Sequence, residues 1–549
     1  MKKIYIIAVI CAMFASCEDE VLDKLPLDKF SEANVWSDGS LAEGFVFNIY
    51  GDVVRRLYAN QNTDDWTDEI IPNNDGERSI QRGAFENTAD FGWNQYGTIR
   101  KCCLAISKLE ESTVIDAGVK KQLIAEAKML RGMTYYWMAR RFGGVMLVDR
   151  VLKPDEDLKL PRATERATYD FIIGDIEAAI PDLPATAAKG RLTKAAAQAF
   201  LSMAALQIGD YDKVIAAADA VENMGFSLDP VYKNMFNSFA GTTSSPEVIF
   251  VYYADKDHMN FIDTRMFRNL LNGGNGPKLK PTAIPQFDPT DLFEAWPLRW
   301  PSQELVDDYL FKVGGTAVKK NGIEFQGDKS GAIWQNRDDR FEQSIVRDGA
   351  KYSKSIFTFR QGGNAHWTSN PVSDWGVPKS GYMFRKWMYE DQFFFFDYPV
   401  SWAEPIFRLG EVYLNKAEAY GRKGNIAKAI EYMNKTRTVH GGLPALAANS
   451  DDADFWKFYK IERHVEMTQE DDRYWSLIRW ARAENATSIP QLNGYKPHAM
   501  DMLADGTVNV VESIYAETMK FEFPKRLFFP IPNSQIREND KLKQNPGWE

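Results

Sequence analysis

Two stretches that lie far apart in this chain share one spacing of small residues around a glycine. In each, a small residue, a glycine and a small or β-branched residue follow at intervals of seven and five, at Ser202, Gly209 and Val214 and again at Ala417, Gly424 and Ala429. Small side chains let two antiparallel helices approach closely, and the glycine turns the chain between them. This is how a tetratricopeptide helix pair closes. Two separated copies predict a helical scaffold with a large insertion rather than a regular solenoid.

Helical periodicity extends well beyond these two copies. The clearest helix is KKQLIAEAKMLRGMTYYWMARRFGG, residues 120–144, where apolar residues recur every three to four positions and Gly143 and Gly144 stop the pattern. Further helices are predicted from about Ser40, from Thr168 to Asn223 and from Glu404 to Arg437. The scaffold should therefore occupy about residues 40–225 and 401–490.

The intervening segment, about 226–400, has a different composition, with many Pro, Gly, Asn and Asp residues. EVIFVYY, residues 247–253, predicts a short strand, and the remainder predicts loops. Asn60 to Asn87 predicts another long loop, and residues 520–549 predict an extended strap docked over the helices. The sequence thus predicts one mainly α-helical domain, residues 17–549, with tetratricopeptide-like pairs and a loop-rich insertion that contains short strands.

The N-terminus reads as a lipoprotein signal peptide over residues 1–16. Two lysines precede an apolar run from Ile4 to Phe14, which is too short to span a bilayer but suits a secretory signal. Small residues then lead to Cys17, and this resembles the lipobox of bacterial lipoproteins, in which the cysteine is lipidated. Phe14 departs from the commoner leucine. The alternative is an ordinary signal peptide followed by an incidental cysteine.

Charge and cysteine content exclude several classes of function. The formal net charge of −10 makes nucleic acid a poor partner, because phosphate binding needs basic patches. After the signal and Cys17, only Cys102 and Cys103 remain, so the protein is not a disulfide scaffold.

Motifs of catalysis are absent from the sequence. The five histidines are scattered, without an H-E-x-x-H pair, and neither a G-x-S-x-G elbow nor a P-loop occurs. The many carboxylates leave a two-carboxylate glycosidase open, but no segment marks two of them as a pair. The sequence favours a binding protein without a cofactor or a metal.

Two groups of charged residues predict structural roles. Arg337, Asp338 and Arg340 predict a buried ion network or a helix cap. A second group is spaced three to four positions apart and predicts ion pairs along one helix: Glu462, Arg463, Glu466, Glu470 and Arg473.

Eight segments, in order, resemble those of the SusD/RagB family of outer-membrane nutrient-binding lipoproteins. They include VLDKLPLDKFSEANVW and AEAKMLRGMTYYWMARRFGGVMLV near the N-terminus and RLFFPIPNSQIRENDKLKQNPGW at the C-terminus. The eight segments span residues 21–36, 125–148, 300–311, 336–349, 381–387, 405–437, 461–480 and 526–548.

The resemblance implies a role without catalysis. Family members bind an oligosaccharide at the cell surface and pass it, as a hinged lid, to a SusC-like TonB-dependent transporter. Their tetratricopeptide-like helices face the transporter, and their loop-rich side binds the ligand. Some members bind calcium, but no D-x-D-x-D-G loop occurs here. A binder of peptides or other nutrients in the same lid role, and a scaffold without a small ligand, remain alternatives.

The resemblance also gives the N-terminus a destination. In this family, acids after the lipidated cysteine resemble the signal that exports a lipoprotein to the outer face of the outer membrane. Glu18, Asp19 and Glu20 occupy those positions. We therefore expect a lipid-anchored protein that faces the cell exterior.

Tryptophans in polar loops are the candidate ligand contacts. The apolar CH faces of sugars stack on indole rings, while hydroxyl groups hydrogen-bond to polar side chains. Binding residues usually lie on loops that a rigid scaffold positions. The predicted ligand contacts are Trp66, Trp296, Trp334, Trp367 and Trp375, with Arg78, Arg360 and Asn364 as polar partners.

Overall fold

The computed structural model describes residues 32–59, 61–270, 287–288, 295–368, 376–390 and 397–549. Several predicted functional residues lie outside these ranges, namely Cys17, Glu18, Asp19, Glu20 and Trp375.

Helices dominate the described residues, as predicted. The α-helices are α1 (Glu32–Val35), α2 (Gly39–Tyr50), α3 (Asp75–Gln81), α4 (Tyr96–Glu111), α5 (Ala117–Phe142), α6 (Glu165–Ala179), α7 (Lys194–Gln207), α8 (Tyr211–Glu222), α9 (Phe239–Ser244), α10 (Arg265–Asn269), α11 (Gln303–Asp308), α12 (Asp339–Ser344), α13 (Leu409–Arg422), α14 (Ile426–Val439), α15 (Asp452–Glu466), α16 (Arg473–Ala483) and α17 (Asn533–Glu538). A π-helix, Gly51–Tyr58, continues α2. Short 3-10 helices cover Thr63–Trp66, Tyr232–Met235, Phe261–Asp263, Gly322–Phe325, Ala332–Trp334, Pro490–Leu492 and Lys525–Leu527.

The strands are short and scattered, which also confirms the predicted fold class. They are β1 (Ile70–Pro72), β2 (Val248–Ala254), β3 (Arg299–Pro301), β4 (Phe311–Val313), β5 (Thr316–Val318), β6 (Ile345–Val346), β7 (Ala350–Tyr352), β8 (Ser355–Phe357), β9 (Met383–Phe384), β10 (Trp402–Arg408), β11 (His498–Met500) and β12 (Val510–Glu512). Within the described ranges they form antiparallel pairs, β1 with β3, β2 with β10, β4 with β5, β6 with β9, β7 with β8 and β11 with β12.

The two tetratricopeptide-like pairs, α7–α8 and α13–α14, pack against each other despite the insertion between them. Gly209 and Gly424 turn the chain within each pair at φ values of 72° and 76°, where a side chain would be strained. The Lys416 ammonium of α13 reaches back to Asp219 of α8 at 2.5 Å and to Glu222 at 2.9 Å. The repeated spacing therefore marks one continuous helical layer.

Helix α5 runs through the main core and ends at the predicted double glycine. Gly143 adopts a φ of 71°, and its N–H donates to the carbonyl of Ala139. The Arg162 guanidinium donates to the carbonyls of Phe142 and Gly144, at 2.6 and 2.7 Å. These bonds satisfy carbonyls that the end of a helix leaves without an intrahelical partner.

One of the two predicted helical segments differs in the structure. The segment from Thr168 to Asn223 is helical as predicted and comprises α6, α7 and α8. The segment predicted as helix from Glu404 begins with strand β10, which pairs with β2. Because β10 is buried on both faces, its sequence lacks the alternation that identifies a half-exposed strand.

The insertion has a core of its own. Buried aromatic and aliphatic side chains, among them Phe357, Trp387 and Trp402, form a cluster separate from the main helical core. The predicted loop from Asn60 to Asn87 holds short elements, β1 and α3, as well as a 3-10 turn. Within the described ranges, no helix combines the length and the apolar character needed to cross a bilayer.

Buried charges join the insertion to the helices. Arg340 is fully buried and contacts Asp338, Glu462 and Glu466 at 2.6–2.7 Å, which confirms the predicted ion network for Asp338 and Arg340. The Arg337 guanidinium donates to backbone carbonyls instead. The predicted pairs along one helix are wrong. Helix α15 ends at Glu466, and the charged side chains of this segment pair outward instead, for example Arg463 with Asp472 at 2.6 Å.

Candidate ligand-binding face

Strands β1 and β3 position the first candidate residue, Trp296. The ladder continues past the strands, where the N–H of Asn73 donates to the carbonyl of Leu298 at 2.8 Å. The N–H of Trp296 donates to the carbonyl of Phe267 in α10, and the two rings lie 6.0 Å apart. Trp296 is nevertheless 40% exposed, so part of its indole faces solvent on a backbone that is fixed at both sides.

Helix α3 positions the second candidate, Arg78. The Asn74 side chain caps the helix by accepting from the N–H of Gly76 at 2.7 Å. At the other end, the buried Gln81 amide donates to the carbonyls of Asp65, Thr67 and Ile70, which fixes the helix on the preceding loop. Arg78 pairs with Asp75 at 3.3 Å, and its side chain is 25% exposed.

Four further charged side chains lie together, and we call them the polar floor. They come from the Thr63–Trp66 turn, helix α3, helix α10 and strand β3 and are Asp65, Glu77, Arg268 and Arg299. Asp65 Oδ2 accepts from Arg299 Nε at 2.9 Å. Burial raises the pKa of Asp65 to about 6, although the neighbouring Arg299 opposes this change. Burial and the nearby Arg299 both lower the pKa of Arg268.

Several buried atoms here lack hydrogen-bond partners within the described part of the chain. They are Asp65 Oδ1, Glu77 Oε2, Arg299 Nη2 and the neighbouring Arg78 Nε. A buried donor or acceptor without a partner costs about 1–3 kcal/mol unless a water or a ligand satisfies it. The polar floor thus holds both acceptors and donors that have no partner among the described residues.

A second aromatic group adjoins the other side of β3. The Tyr515 ring meets the buried Trp300 ring edge-on at 6.0 Å and the half-buried Trp367 ring at 6.3 Å. The Lys379 ammonium lies 3.9 Å from the centre of the Tyr515 ring. Arg82, just past α3, pairs with Glu517 at 3.4 Å and links this segment to the helix of Arg78.

Trp66 and Trp334 are half-buried, and each packs against other aromatic rings. Trp66 meets Tyr474 and Phe529 edge-on at 5.3 and 5.5 Å, so its ring is part of an aromatic cluster under the C-terminal segment. Trp334 stacks on Phe341 at 6.0 Å, with an angle of 6° between the rings.

Arg360 and Asn364 are engaged within their own loop. The Arg360 guanidinium is paired with Asp348 and donates from Nε to Oδ2 at 3.0 Å. Asn364 is fully buried, and its side chain accepts from the N–H of Thr358 and donates to the carbonyl of Ile356 at 2.8 and 2.7 Å. The structure therefore places Trp296 against α10, Arg78 next to Glu77 on helix α3, and Trp367 beside Tyr515.

Sequence reasoning did not select the polar floor or Tyr515. Asp65 directly precedes Trp66 in NTDDWTDEI, and Arg299 directly precedes Trp300 in LRWPS, so an aromatic residue in a polar loop pointed to the right segments. The neighbour of each tryptophan, rather than the tryptophan itself, reaches the floor.

One buried cluster elsewhere in the described residues holds side chains of the kind that can bind a metal. Glu247, His440 and Glu466 bring potential metal-ligand atoms within 4.8 Å of one another. Both imidazole nitrogens of His440 face carboxylates, at 3.1 and 2.9 Å. Burial alone lowers the pKa of His440, but Glu466 and Glu247 outweigh it and raise the pKa to about 10. A protonated imidazole has no lone pair for a metal, so this triad is an ion-pair cluster.

Comparison with family models gives two matches. Residues 246–548 match the model described as the SusD family. Residues 41–206 match a second model, described as starch-binding associating with outer membrane.

Curated relatives are similar in sequence over part or most of the chain. A SusD-like protein of Bacteroides ovatus is 25% identical over 263 residues, which cover 43% of this chain and 47% of that protein. This match therefore spans about half the length of that relative. SusD-like protein P38 of Formosa agariphila is 21% identical over 509 residues, covering 87% of this chain and 91% of the relative.

Solved structures are similar over nearly the whole chain. A crystal structure of a SusD-like protein from Bacteroides fragilis superposes with a TM-score of 0.78 at 23% identity, covering 95% of this chain and 100% of that one. A SusD-like carbohydrate-binding protein from the same species gives a TM-score of 0.75 at 20% identity, covering 93% and 100%. At these identities, the likeness establishes a shared fold.

Proposed function

Because this chain belongs to the SusD family, we propose that it binds an oligosaccharide or polysaccharide at the cell surface and delivers it, as a lid, to a SusC-like TonB-dependent transporter. Carbohydrate binding and association with the outer membrane are properties of the family. The related B. fragilis structure is described as a carbohydrate-binding protein. The lipid anchor at Cys17, the outward orientation and the transporter partner are the more specific parts of the proposal.

One observation supports a glycan at the face of this chain that carries Trp296, Arg78 and the polar floor, which we call the loop face. The indole of Trp296 is exposed and its backbone adjoins the segment of Arg268, and buried carboxylate and guanidinium atoms of the floor have no protein partner among the described residues. A sugar ring offers an apolar CH face for stacking and hydroxyl groups that both donate and accept hydrogen bonds. Arg78 and the polar floor would then supply the polar contacts that Trp296 cannot.

We further propose that the protein binds its glycan without cleaving it. SusD-like carbohydrate-binding proteins are generally non-catalytic. Asp65 is held by Arg299 through its Oδ2 atom. In this proposal, both carboxylates of the floor accept hydrogen bonds from ligand hydroxyl groups. Incubation of the protein with a bound polysaccharide should release no new reducing ends.

Binding is tested with a panel of soluble polysaccharides, by calorimetry or by retardation in glycan-containing gels. Trp296→Ala should weaken the affinity for the glycan about 5- to 30-fold, because an aromatic platform contributes on the order of 1–2 kcal/mol to binding. Arg78→Ala should weaken it several-fold through the loss of charge-assisted hydrogen bonds.

Tyr253→Ala is the matched control, because Tyr253 is a comparably exposed aromatic residue, at 44%, on strand β2. It should leave binding unchanged. Equal binding by wild-type protein and Trp296→Ala would contradict the assigned face. A panel that shows no glycan binding at all, together with binding of peptides, would favour the non-glycan nutrient instead.

The transporter partner is tested by affinity purification of the tagged full-length chain from outer membranes of its own host. A SusC-like barrel should co-purify in amounts comparable to the chain. Recovery of the chain without a barrel partner from intact outer membranes would contradict the lid role.

A further inference from the structure

A large cavity among the described residues lies away from the loop face. It encloses about 740 Å³ between helices α15 and α16 on one side and helix α11 with the Gly322–Phe325 turn on the other. Neither Trp296, Arg78, Trp367 nor any residue of the polar floor lines it. Its volume falls within the range of about 300–1,000 Å³ that is typical of small-ligand sites.

The lining is charged, and most of its charges are paired within the protein. It carries six carboxylates and four lysine or arginine side chains, together with one histidine. The ion pairs are Asp308 with Lys319, Asp68 with Arg473, Glu304 with His498 and Glu484 with Lys460, at 2.5–2.9 Å. Asp307 and Glu324 on one side and Lys457 at the exposed edge form no ion pair within the described residues.

Asp307 is held in a fixed orientation. Its Oδ1 atom accepts from the Gln303 amide at 2.7 Å and from the N–H of Gly322 at 2.8 Å. Gln303 is itself buried, and its Oε1 accepts from the hydroxyl of the fully buried Tyr382 at 2.7 Å. Because both bonds use Oδ1, the second carboxylate oxygen of Asp307 is left for another donor. Burial raises the pKa of Asp307 to about 7.

The nearby cations are engaged elsewhere. Lys319 pairs with Asp308, and the Arg337 guanidinium donates to the carbonyls of Ile333, Val306 and Tyr309. The half-buried Asp307 carboxylate has lost part of its hydration without gaining a cationic partner, and a ligand cation would offset that loss.

The remaining wall is apolar but offers no stacking surface. Ile461, Leu477 and Ile489 contribute aliphatic side chains, while Trp480 is only 3% exposed. A sugar ring would therefore find no open indole face to stack on here, but the carbon atoms next to a polar group would find apolar contacts.

We propose that this cavity binds the primary ammonium group of a ligand, with Asp307 as its anchor and the aliphatic wall along the adjoining carbon chain. An ammonium group has three donors and carries the charge that the unpaired carboxylate lacks. Two sources supply this chemistry, an amino sugar with a free amine and the lysine side chain of a peptide. The site is separate from the loop face, so it would add a second class of recognised group to the proposed function.

The test measures calorimetric binding of two pairs of probes to the wild-type protein. The first pair is the glucosamine disaccharide and its N-acetylated form, and the second is a short lysine peptide and its Nε-acetylated form. We expect at least one amine to bind at least 10-fold more tightly than its acetylated partner, and the pair that shows this difference identifies the source. Equal binding within both pairs, or no binding of either amine, would overturn the proposal. This comparison needs no variant.

Three variants locate the amine. Asp307→Asn keeps the Oδ1 acceptor and should weaken amine binding at least 10-fold with an unchanged unfolding midpoint. Lys457→Gln should leave amine binding equal or tighter, because it removes a like charge from the edge of the cavity. Trp296→Ala should reduce glycan binding at the loop face and leave amine binding unchanged.

Each variant also has an outcome that contradicts the site. Wild-type affinity in Asp307→Asn, or weaker binding in Lys457→Gln, would show that the cavity does not recognise a cation. Loss of amine binding in Trp296→Ala would place the amine on the loop face. Loss of glycan binding alone would leave the cavity proposal standing, so failures of the two proposals are distinguishable.

Discussion

His440 is the centre of the most densely charged part of the interior. Its two ring nitrogens contact Glu247 and Glu466, and Arg408 contacts both of these carboxylates at 3.1 and 2.5 Å. All four side chains are almost completely buried. Glu466 also contacts Arg340, whose charge is shared with Asp338 and Glu462. The two carboxylates therefore lose a cationic partner when His440 loses its proton.

The stability of the protein should therefore fall as the pH rises above neutrality. The histidine pKa is about 6.5 in an unfolded chain, and the two carboxylates raise that of His440 to about 10. The stabilisation is complete below pH 6.5 and is lost as the pH approaches 10. The expected slope is on the order of 1 kcal/mol per pH unit. Free energies of unfolding from urea titrations at pH 6.5 and 8 measure it.

His440→Gln is the control for this slope. Glu411 and Asp307, whose pKa values burial raises to about 7, titrate in the same window and contribute equally to both proteins. The measurements stop at pH 8 because burial lowers the pKa of Lys386 to about 8. Above that pH, the loss of the Lys386 proton makes stability rise with pH, which opposes the effect of His440. Identical slopes in wild-type protein and variant would contradict a protonated His440.

The same interior explains why residue spacing predicted the wrong ion pairs. Glu462, Arg463 and Glu466 lie three to four positions apart or adjacent, which suits pairing on an exposed helix. They are buried instead, and a buried charge needs several partners with good geometry, which one helix cannot supply. The spacing of these charged residues can be read from the sequence, whereas their burial depends on distant segments such as that of Arg340.

At the scale of elements, the end of helix α5 depends on the close approach of the later chain, at Ala163, to its double glycine. A side-chain carbon at Gly144 would lie 1.9 Å from the carbonyl oxygen of Ala163, far inside contact distance. The neighbouring Gly143 adopts a φ of 71°, which few residues with side chains tolerate. The double glycine thus permits both the end of the helix at Gly143 and the close approach of Ala163 at Gly144.

Gly144→Ala should destabilise the protein by about 2 kcal/mol or more, because the backbone of Ala163 must move. Gly174→Ala is the matched substitution within helix α6, where an added carbon would meet nothing within 4 Å. It should stabilise the protein by about 0.5–1 kcal/mol, because alanine restricts the unfolded chain and favours the helix. Thermal unfolding of both variants measures the difference, and equal midpoints would contradict the close approach at Gly144.

Elements were predictable where apolar residues recur every three to four positions and a glycine marks the turn. Gly209, Gly424 and Gly143 stand at the predicted turns, although α5 is buried on every side from Met129 to Ala139 rather than on one face. Strand β10 was not predictable, because burial on both faces leaves no alternation to distinguish it from the start of a helix.

At the scale of the whole molecule, the loop face is assembled from segments that are more than 200 residues apart. Asp65 and Arg78 precede the first tetratricopeptide-like pair, whereas Trp296 and Arg299 follow it. The pairing of β1 with β3 brings them together, and no local pattern records that pairing. Composition therefore marked Trp296 and Arg78 as candidates but could not show that Trp66, in a similar polar loop, packs against Phe529.

The orientation of the whole molecule is a prediction about Glu18, Asp19 and Glu20. If these acids direct the lipidated chain to the outer face, their replacement by alanine should leave acylation of Cys17 intact. External protease, added to intact cells, should then no longer digest the protein. Acylation is measured by incorporation of a labelled fatty acid into the full-length chain in a host with an outer membrane.

Two further variants separate the export signal from the lipid anchor. Glu18→Asp, Asp19→Glu and Glu20→Asp together keep the negative charge and should preserve digestion by external protease. Cys17→Ala should abolish labelling and release the chain from the membrane fraction. Continued surface digestion of the triple alanine variant would show that the acids do not set the orientation. The loop face could then still bind glycan, but its outward position would require another signal.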